Sequence, residues 1–526
     1  MAPPRRKKQK HTREFGAPLG DEEGEDRTTA QSEADVQALT SWSNRVVPLS
    51  AADIPSLSTL CMQAFAGGFA KLGSDEGSAR TMKEWLQAVP DNYIPRLMTC
   101  LKEAGIHPAK EFVNTYLLRG QAITLDDDMP QIDVTAIRRR PETCQNLREL
   151  HLKNLPGVSD RDVALVVEKL PALRVLVLRG CTKIGEKTAA AVALSCPNLF
   201  VLNLNYTSVL PAALAAVLRA CKSLEVLKVA GISSWTPANV SKLFTSLDSA
   251  EDSEFVLPAL RSLKLKQLGI NDQTLGHFLK ICPNLRRLDV SFTAIRRPPL
   301  LLSNTSLEKL SLTSTGVSGA DLIKIVSGMT ALHTLAMGGL GRGGSSVVAM
   351  ASTLSLTLSD DVLAKLNNIL VGYERLAHVN LAGNTKLGMV TRSSLTDFIE
   401  RVGRRCQTLN LGGVSSLRSS QLEGLLALDD EQNSSPLQVL VLNNTDVDDA
   451  AAPWLASCAE LRILEVAGTK FTSDGLCEVL DGCHKLERLN LTSCRRIELA
   501  SRRNFFATFE EWQRGRLARG GEQEAM

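Results

Sequence analysis

Twelve cysteines and seven histidines are the side chains of this 526-residue chain best suited to hold a metal or to act as nucleophile and base. A structural zinc site is usually written locally as Cys-x-x-Cys, because paired thiolates close one edge of the tetrahedron. No such pair occurs, and the histidines stand at no ligand spacing beside the cysteines. The forms His-Glu-x-x-His and Gly-x-Ser-x-Gly are also absent. GLGRGGSS (339–346) is rich in glycine, but it lacks the Lys-Ser/Thr ending of a phosphate loop and reads as a flexible surface loop. The chain therefore offers no catalytic, metal or cofactor motif. A binding protein is expected rather than an enzyme.

One cysteine is arranged differently from the rest. In PSLSTLCMQAF (55–65), Leu57, Cys61 and Phe65 recur at i, i+4 and i+8, the spacing of one helix face. Asp53 would cap that helix, with Pro55 in its first turn. Apolar anchors at this spacing are what an amphipathic helix lays into a partner's groove. The same stripe could instead close the end of the fold as a cap. Helical patterns continue in TMKEWLQAVP, ending at Pro90, in YIPRLMTCLKEAG, ending at Gly105, and in AKEFVNTYLLRG, ending at Gly120.

The elements beyond residue 120 follow one repeated form. LRELHL (147–152), LRVLVL (173–178) and LFVLNL (199–204) open a series of thirteen LxxLxL-type segments that closes with LERLNL (486–491), mostly 22 to 26 residues apart. That period defines leucine-rich repeats. The two leucines of LxL point to one side of a short strand, and the return segment, such as RDVALVVEKLP, carries helical spacing. One repeat cannot bury its own apolar face, so stacked neighbours must share a core. The expected fold is an α/β leucine-rich repeat horseshoe of about 13 repeats, with parallel strands on the concave side and helices outside.

The cysteines fit that frame. Cys144, Cys196, Cys221, Cys282, Cys458 and Cys483 each stand three residues before the first leucine of a repeat; Cys181 and Cys494 follow LxL at the turn, and Cys406 fills a leucine slot. These nine should be small buried hydrophobes. The x positions of LxL should face concave solvent. There Lys228, Lys264, Lys266, Arg287 and Lys309 are expected to align as a basic stripe suited to acidic segments of a partner. Val175, Val177, Val201 and Val226 should form an exposed apolar patch, and His151 and His378 should face solvent.

Charge and composition bound the rest. Sixty Lys and Arg stand against 57 Asp and Glu, so the whole molecule is no polyanion binder, and aromatics at 4% argue against base stacking and a nucleic-acid partner. No apolar run reaches the roughly 18 residues of a membrane span, and no secretory core appears near the start. The thiols should thus be free, in nucleus or cytosol. Residues 1–47 read as a disordered tail whose basic run, Arg5, Arg6, Lys7, Lys8 and Lys10, fits a nuclear-localisation patch. Residues 48–122 read as a helical module for adaptor docking or capping, 123–494 as the repeat array, and 495–526 as a C-terminal cap helix and tail in which Phe505, Phe506, Phe509 and Trp512 recur at helical spacing. Long connections interrupt the array at 247–255, 338–348 and 428–435.

The CPNL-LxL form and its period resemble the cysteine-containing repeats of ribonuclease-inhibitor-like proteins, among them the leucine-rich repeat substrate receptors of cullin–RING ubiquitin ligases. Within that resemblance the segment 55–65 looks like the BC box, the elongin C-binding helix of such receptors. It implies that Leu57 fills an apolar pocket of the partner, that Cys61 sits where a larger side chain does not fit, and that Phe65 stands where the family has an aliphatic residue. Val89-Pro90-Asp91-Asn92-Tyr93 followed by Leu97 is similar to a cullin box. The Leu-Pro-rich three-helix pattern of an F-box, which would dock a Skp-type adaptor, is not evident in 48–120. The resemblance implies a substrate-recognition subunit acting with an adaptor and a cullin. The alternative is a leucine-rich repeat scaffold or inhibitor with no ligase role.

Overall fold

The computed structural model describes residues 56–73, 76–127, 134–139, 141–248, 255–297, 306–340, 358–390, 393–426 and 435–497. The basic run at 5–10, the aromatic stripe at 505–512 and most of the three long connections lie outside these residues.

Fourteen parallel strands form one open sheet in chain order. They are β1 (Ala122–Leu125), β2 (Glu149–Leu152), β3 (Val175–Val177), β4 (Val201–Asn203), β5 (Val226–Lys228), β6 (Ser262–Lys264), β7 (Arg287–Asp289), β8 (Lys309–Ser311), β9 (Thr334–Ala336), β10 (His378–Asn380), β11 (Thr408–Asn410), β12 (Val439–Val441), β13 (Ile463–Glu465) and β14 (Arg488–Asn490). Thirteen of them sit on the LxxLxL segments. The sheet starts one strand earlier, at β1, whose AITL keeps the two inward residues, Ile123 and Leu125, but not the leading leucine. The LxL leucines are buried throughout, and return helices such as α4 (Asp160–Val167) and α5 (Glu186–Ser195), numbered after the three helices of the N-terminal module, bring Val163, Val166 and Val192 back onto them. A single apolar core runs from Met62 to Ile497.

Each LxxLxL repeat makes the same turn after its strand. The second residue past the last core residue of the strand takes positive φ: Asn154, Gly180, Tyr206, Gly231, Gln267, Phe292, Ser314, Gly339, Gly383, Gly413, Asn444, Gly468 and Ser493. In all but the last, its amide donates to the next repeat, as Gly180 N does to Asn205 O at 2.9 Å and Gly468 N to Thr492 O at 2.7 Å. The sheet's hydrogen bonding thus continues through the turn. Glycine and asparagine suit this conformation; Tyr206, Gln267, Phe292, Ser314 and Ser493 do not. The Tyr206 ring lies across Gly231, where a Cβ would stand 2.2 Å from it, and its hydroxyl bonds the Gln267 Oε1 at 3.0 Å.

Aspartates link successive repeats on the helical side. The Asp160 carboxylate accepts from Gly185 N, Lys187 N and Thr188 N at 2.9–3.0 Å, capping α5 of the following repeat. Burial alone would raise its pKa, but the Thr188 hydroxyl and these amides outweigh it and hold the group below the usual range. Asp272, Asp360 and Asp449 make the same kind of link.

The nine repeat cysteines are all buried. Several thiols donate to carbonyls of the repeat before: Cys221 Sγ to Cys196 O at 3.3 Å, Cys483 Sγ to Leu455 O at 3.2 Å and Cys494 Sγ to Val466 O at 3.1 Å. Burial pushes the thiols of Cys196, Cys282, Cys406, Cys458 and Cys483 up to about 12, so they stay protonated and inert near neutral pH. Only Cys61 and Cys477 are exposed. A maleimide should therefore label two thiols in the native protein and twelve in urea, counted by mass spectrometry.

The N-terminal module holds α1 (Leu57–Leu72), α2 (Glu76–Ala88) and α3 (Ile94–Glu103). Ser56 caps α1 by accepting from Thr59 N at 3.4 Å; Asp53 and Pro55 lie outside the described residues. Met62 and Ala66 of α1, Met82 and Leu86 of α2 and Ile94, Leu97 and Leu101 of α3 are buried together. The Arg119 guanidinium donates to Leu86 O and Val89 O and pairs with Asp91 at 2.8 Å, while Lys102 pairs with Asp126 at 2.7 Å just past β1. The module is thereby fastened to the first strand, whose apolar edge it covers.

Candidate partner-binding surfaces

A helix turns about 100° per residue, so positions four apart drift by about 40° and Phe65 stands about 80° round from Leu57. The structure divides the triad accordingly. Leu57 is 77% exposed and Cys61 is exposed, whereas Phe65 is half-buried, with its ring 4.6 Å from Trp85 and 5.9 Å from Phe69. The outward face of α1 also carries Leu60, Ala64, Gly67 and Gly68, four residues that the i+4 spacing alone does not reveal, and it ends at the exposed Lys71 in the last turn. No charged side chain stands among the six from Leu57 to Gly68. A Cβ at Gly67 would meet nothing within 4 Å, and one at Gly68 only Leu72 at 4.0 Å. Glycine within a helix costs up to about 1 kcal/mol against alanine, and neither glycine admits a neighbour from among the described residues. One face of the helix thus packs on the module's core, and the opposite face is open to solvent. Pro90 is exposed at the turn into α3, but its companions Val89 and Leu97 are buried and Tyr93 is half-buried, so most of that motif serves the module's core.

On the concave side, register sorts the expected cations into different lanes. Lys228 pairs with Lys264, and Lys264 with Asp289. Arg287 pairs with Lys309 in the neighbouring lane. Lys266 lies past β6, its ammonium 5.2 Å from the centroid of the Phe292 ring. A single aligned stripe is therefore not formed. The lane of Lys264 is interrupted by Asp289, a buried carboxylate 3.9 Å from the Lys264 ammonium whose other oxygen accepts from Ser291 N at 3.0 Å. Val175, Val201 and Val226 are half-buried, but Val177 is buried, since His151 and Asn203 flank it in register at close strand spacing. His151 is buried in the same lane, where the expectation was solvent; its Nε2 stands 3.6 Å from Glu149. His378 stays half-buried, edge-on to His333 at 4.8 Å.

Among the described residues no group of three metal-binding side chains gathers, and no helix is long and apolar enough to cross a membrane. One open cavity of about 490 Å³ was missed from sequence. It lies along the lip where β7 to β11 begin, and Arg287, Lys309, His333, Arg375 and Arg405 line it. Its residues come from repeats on either side of the long connection between β9 and β10, so no local pattern joins them.

No family model matches the chain. It is 27% identical over 237 residues to F-box/LRR-repeat protein 17 of Arabidopsis thaliana, covering 42% of this chain and 39% of that protein. It is 40% identical over 60 residues to putative F-box/LRR-repeat protein 23 of the same plant, covering 11% and 13%. The chain thus spans well under half the length of either relative. Among solved structures, the Rad7 and Elc1 complex in yeast aligns with a TM-score of 0.42 at 16% identity, over 79% of this chain and 94% of that chain. With thirteen LxxLxL segments on one open parallel sheet and a buried cysteine at the head of many repeats, the chain has the α/β leucine-rich repeat fold.

Proposed function

We propose that this protein is a non-enzymatic binding subunit: the repeat array holds a target protein, and the outward face of α1 docks an adaptor of a cullin-type ubiquitin ligase, elongin C or a Skp-type protein. The observation that carries this reading is the outer face of α1, which bears no charged side chain from Leu57 to Gly68 and ends at Lys71. It exposes Leu57 beside Cys61 and Ala64 and opens the backbone at Gly67 and Gly68, so a partner's groove can close on the helix. Similarity to F-box/LRR-repeat proteins supports the ligase setting. The basic run Arg5, Arg6, Lys7, Lys8 and Lys10 supports action in the nucleus.

The test is capture of purified elongin C and of a Skp-type adaptor by the full chain, with and without Leu57→Ala and Cys61→Arg together. Both side chains point to solvent, so circular dichroism should stay native while capture is lost. Native-level capture by the double variant would sink the docking role. Purification from cells that recovers target proteins but neither adaptor nor cullin would instead make the chain a scaffold or inhibitor.

A further inference from the structure

The cavity at the strand lip has a composition that the target-holding reading does not by itself require. Four permanent cations converge on it: Arg287, Lys309, Arg375 and Arg405. Two carboxylates, Glu308 and Glu374, also border it; the Glu308 Oε1 accepts from Arg286 Nη1 at 3.0 Å. Two of the lining groups, Arg405 and His333, are held in place. Arg405 Nη2 donates to Val371 O at 3.0 Å. His333 is fixed by its Nδ1, 2.8 Å from Arg375 O, and by the His378 ring against it; a carbonyl only accepts, so Nδ1 carries the proton. Guanidinium groups pre-set in this way are the usual partners of phosphate, which they meet with paired, charge-assisted hydrogen bonds.

The shape narrows the ligand class. A cavity of about 490 Å³ is larger than a phosphate group alone and has room for the side chain bearing it with its neighbours. A nucleic-acid strand needs cations repeated along a track and exposed rings for its bases. Here the cations converge on one place, and no Phe, Tyr or Trp side chain lines it. The site is continuous with the concave sheet through Arg287 and Lys309, which belong to strands β7 and β8.

We propose that this cavity binds a phosphorylated serine or threonine side chain of an extended target segment, so that phosphorylation decides which targets the array holds. The inference deepens the target-holding part of the proposed function and does not depend on the adaptor.

The probes are two fluorescein-labelled degenerate peptide mixtures, identical except that one carries a fixed phosphoserine and the other serine. Fluorescence anisotropy with the full chain should show the phosphorylated mixture binding at least tenfold more tightly. Arg375→Glu and Arg405→Gln should each remove most of that difference, Arg375→Lys should retain much of it, and Lys470→Glu, far along the array, should change nothing. Arg375 is exposed and its part in the fold is through its backbone carbonyl, so Arg375→Glu should remain folded even if Arg405→Gln, which loses the bond to Val371 O, loosens that turn. Equal binding of the two mixtures, or an undiminished difference in Arg375→Glu, would overturn the proposal. So would tighter binding of a 20-nucleotide single-stranded RNA that is lost to the same variant. The Leu57→Ala and Cys61→Arg double variant should bind the phosphorylated mixture as wild type does, so the adaptor reading and this one can fail separately.

Discussion

Trp235→Ala should lower the stability of the array by about 3–5 kcal/mol and split its unfolding into two transitions. Trp235 is fully buried in the turn after β5, and its indole Nε1 donates to Val209 O of the preceding repeat at 2.9 Å. Its own carbonyl lies 3.1 Å from where a Cβ on Gly269 of the next repeat would stand. One residue therefore joins three consecutive repeats near the middle of the molecule. Truncation leaves a large cavity and an orphaned carbonyl. In a solenoid each repeat is stabilised through its neighbours, so a weakened central junction uncouples the two ends. Urea titration followed by circular dichroism should show a single transition in wild type and two in the variant. Trp235→Phe should restore the single transition, short of wild type by roughly 1 kcal/mol for the lost hydrogen bond. A single transition at the wild-type midpoint in Trp235→Ala would contradict this role.

The second large effect is expected at Glu465, a carboxylate only 3% exposed at the end of β13. Its Oε2 accepts from Asn443 Nδ2 at 3.1 Å and from Asn490 Nδ2 at 2.9 Å, and its Oε1 lies 3.3 Å from Arg488 Nη2. Three donors from the two flanking repeats thus rely on one side chain. Glu465→Leu fits the space but leaves two amides and a guanidinium without an acceptor. Removing one member of a buried ion pair costs about 3–5 kcal/mol; partial exposure of Arg488 places this case near the lower end. Hydrogen exchange at β13 and β14 should accelerate sharply, while β2 to β5 keep wild-type protection. Glu465→Gln, which retains one acceptor, should be milder. Uniform acceleration across the sheet would show that the site is not local to the last repeats.

The leucines of LxL and the nine repeat cysteines were legible because their burial follows from strand alternation and from a period that recurs thirteen times. β1 was not, since Ala122–Leu125 has no leucine in the leading slot and is held partly by the module beside it. The spacing of Leu57, Cys61 and Phe65 does not keep all three on one open face: helical drift over eight residues carries Phe65 onto Trp85, and only the placement of Met62 and Ala66 decides which arc faces inward. On the concave face, the sequence identifies which residues leave the core side of a strand but not how far neighbouring side chains cover them. His151 and Val177 are buried for that reason. The lip cavity depends on which turn meets which strand across the long connection, and that is a property of register rather than of spacing.

The cysteine distribution also makes the molecule its own ruler. Ten thiols are sequestered, and the two that remain open lie at opposite ends, Cys61 on the outer face of α1 and Cys477 on the helix Ser473–Gly482 between the last two strands. Thirteen steps between fourteen strands separate those ends by on the order of 60 Å along the sheet. A donor and an acceptor dye attached without any mutation would span the whole arch and report whether it flexes or stays rigid when a target is seated within it.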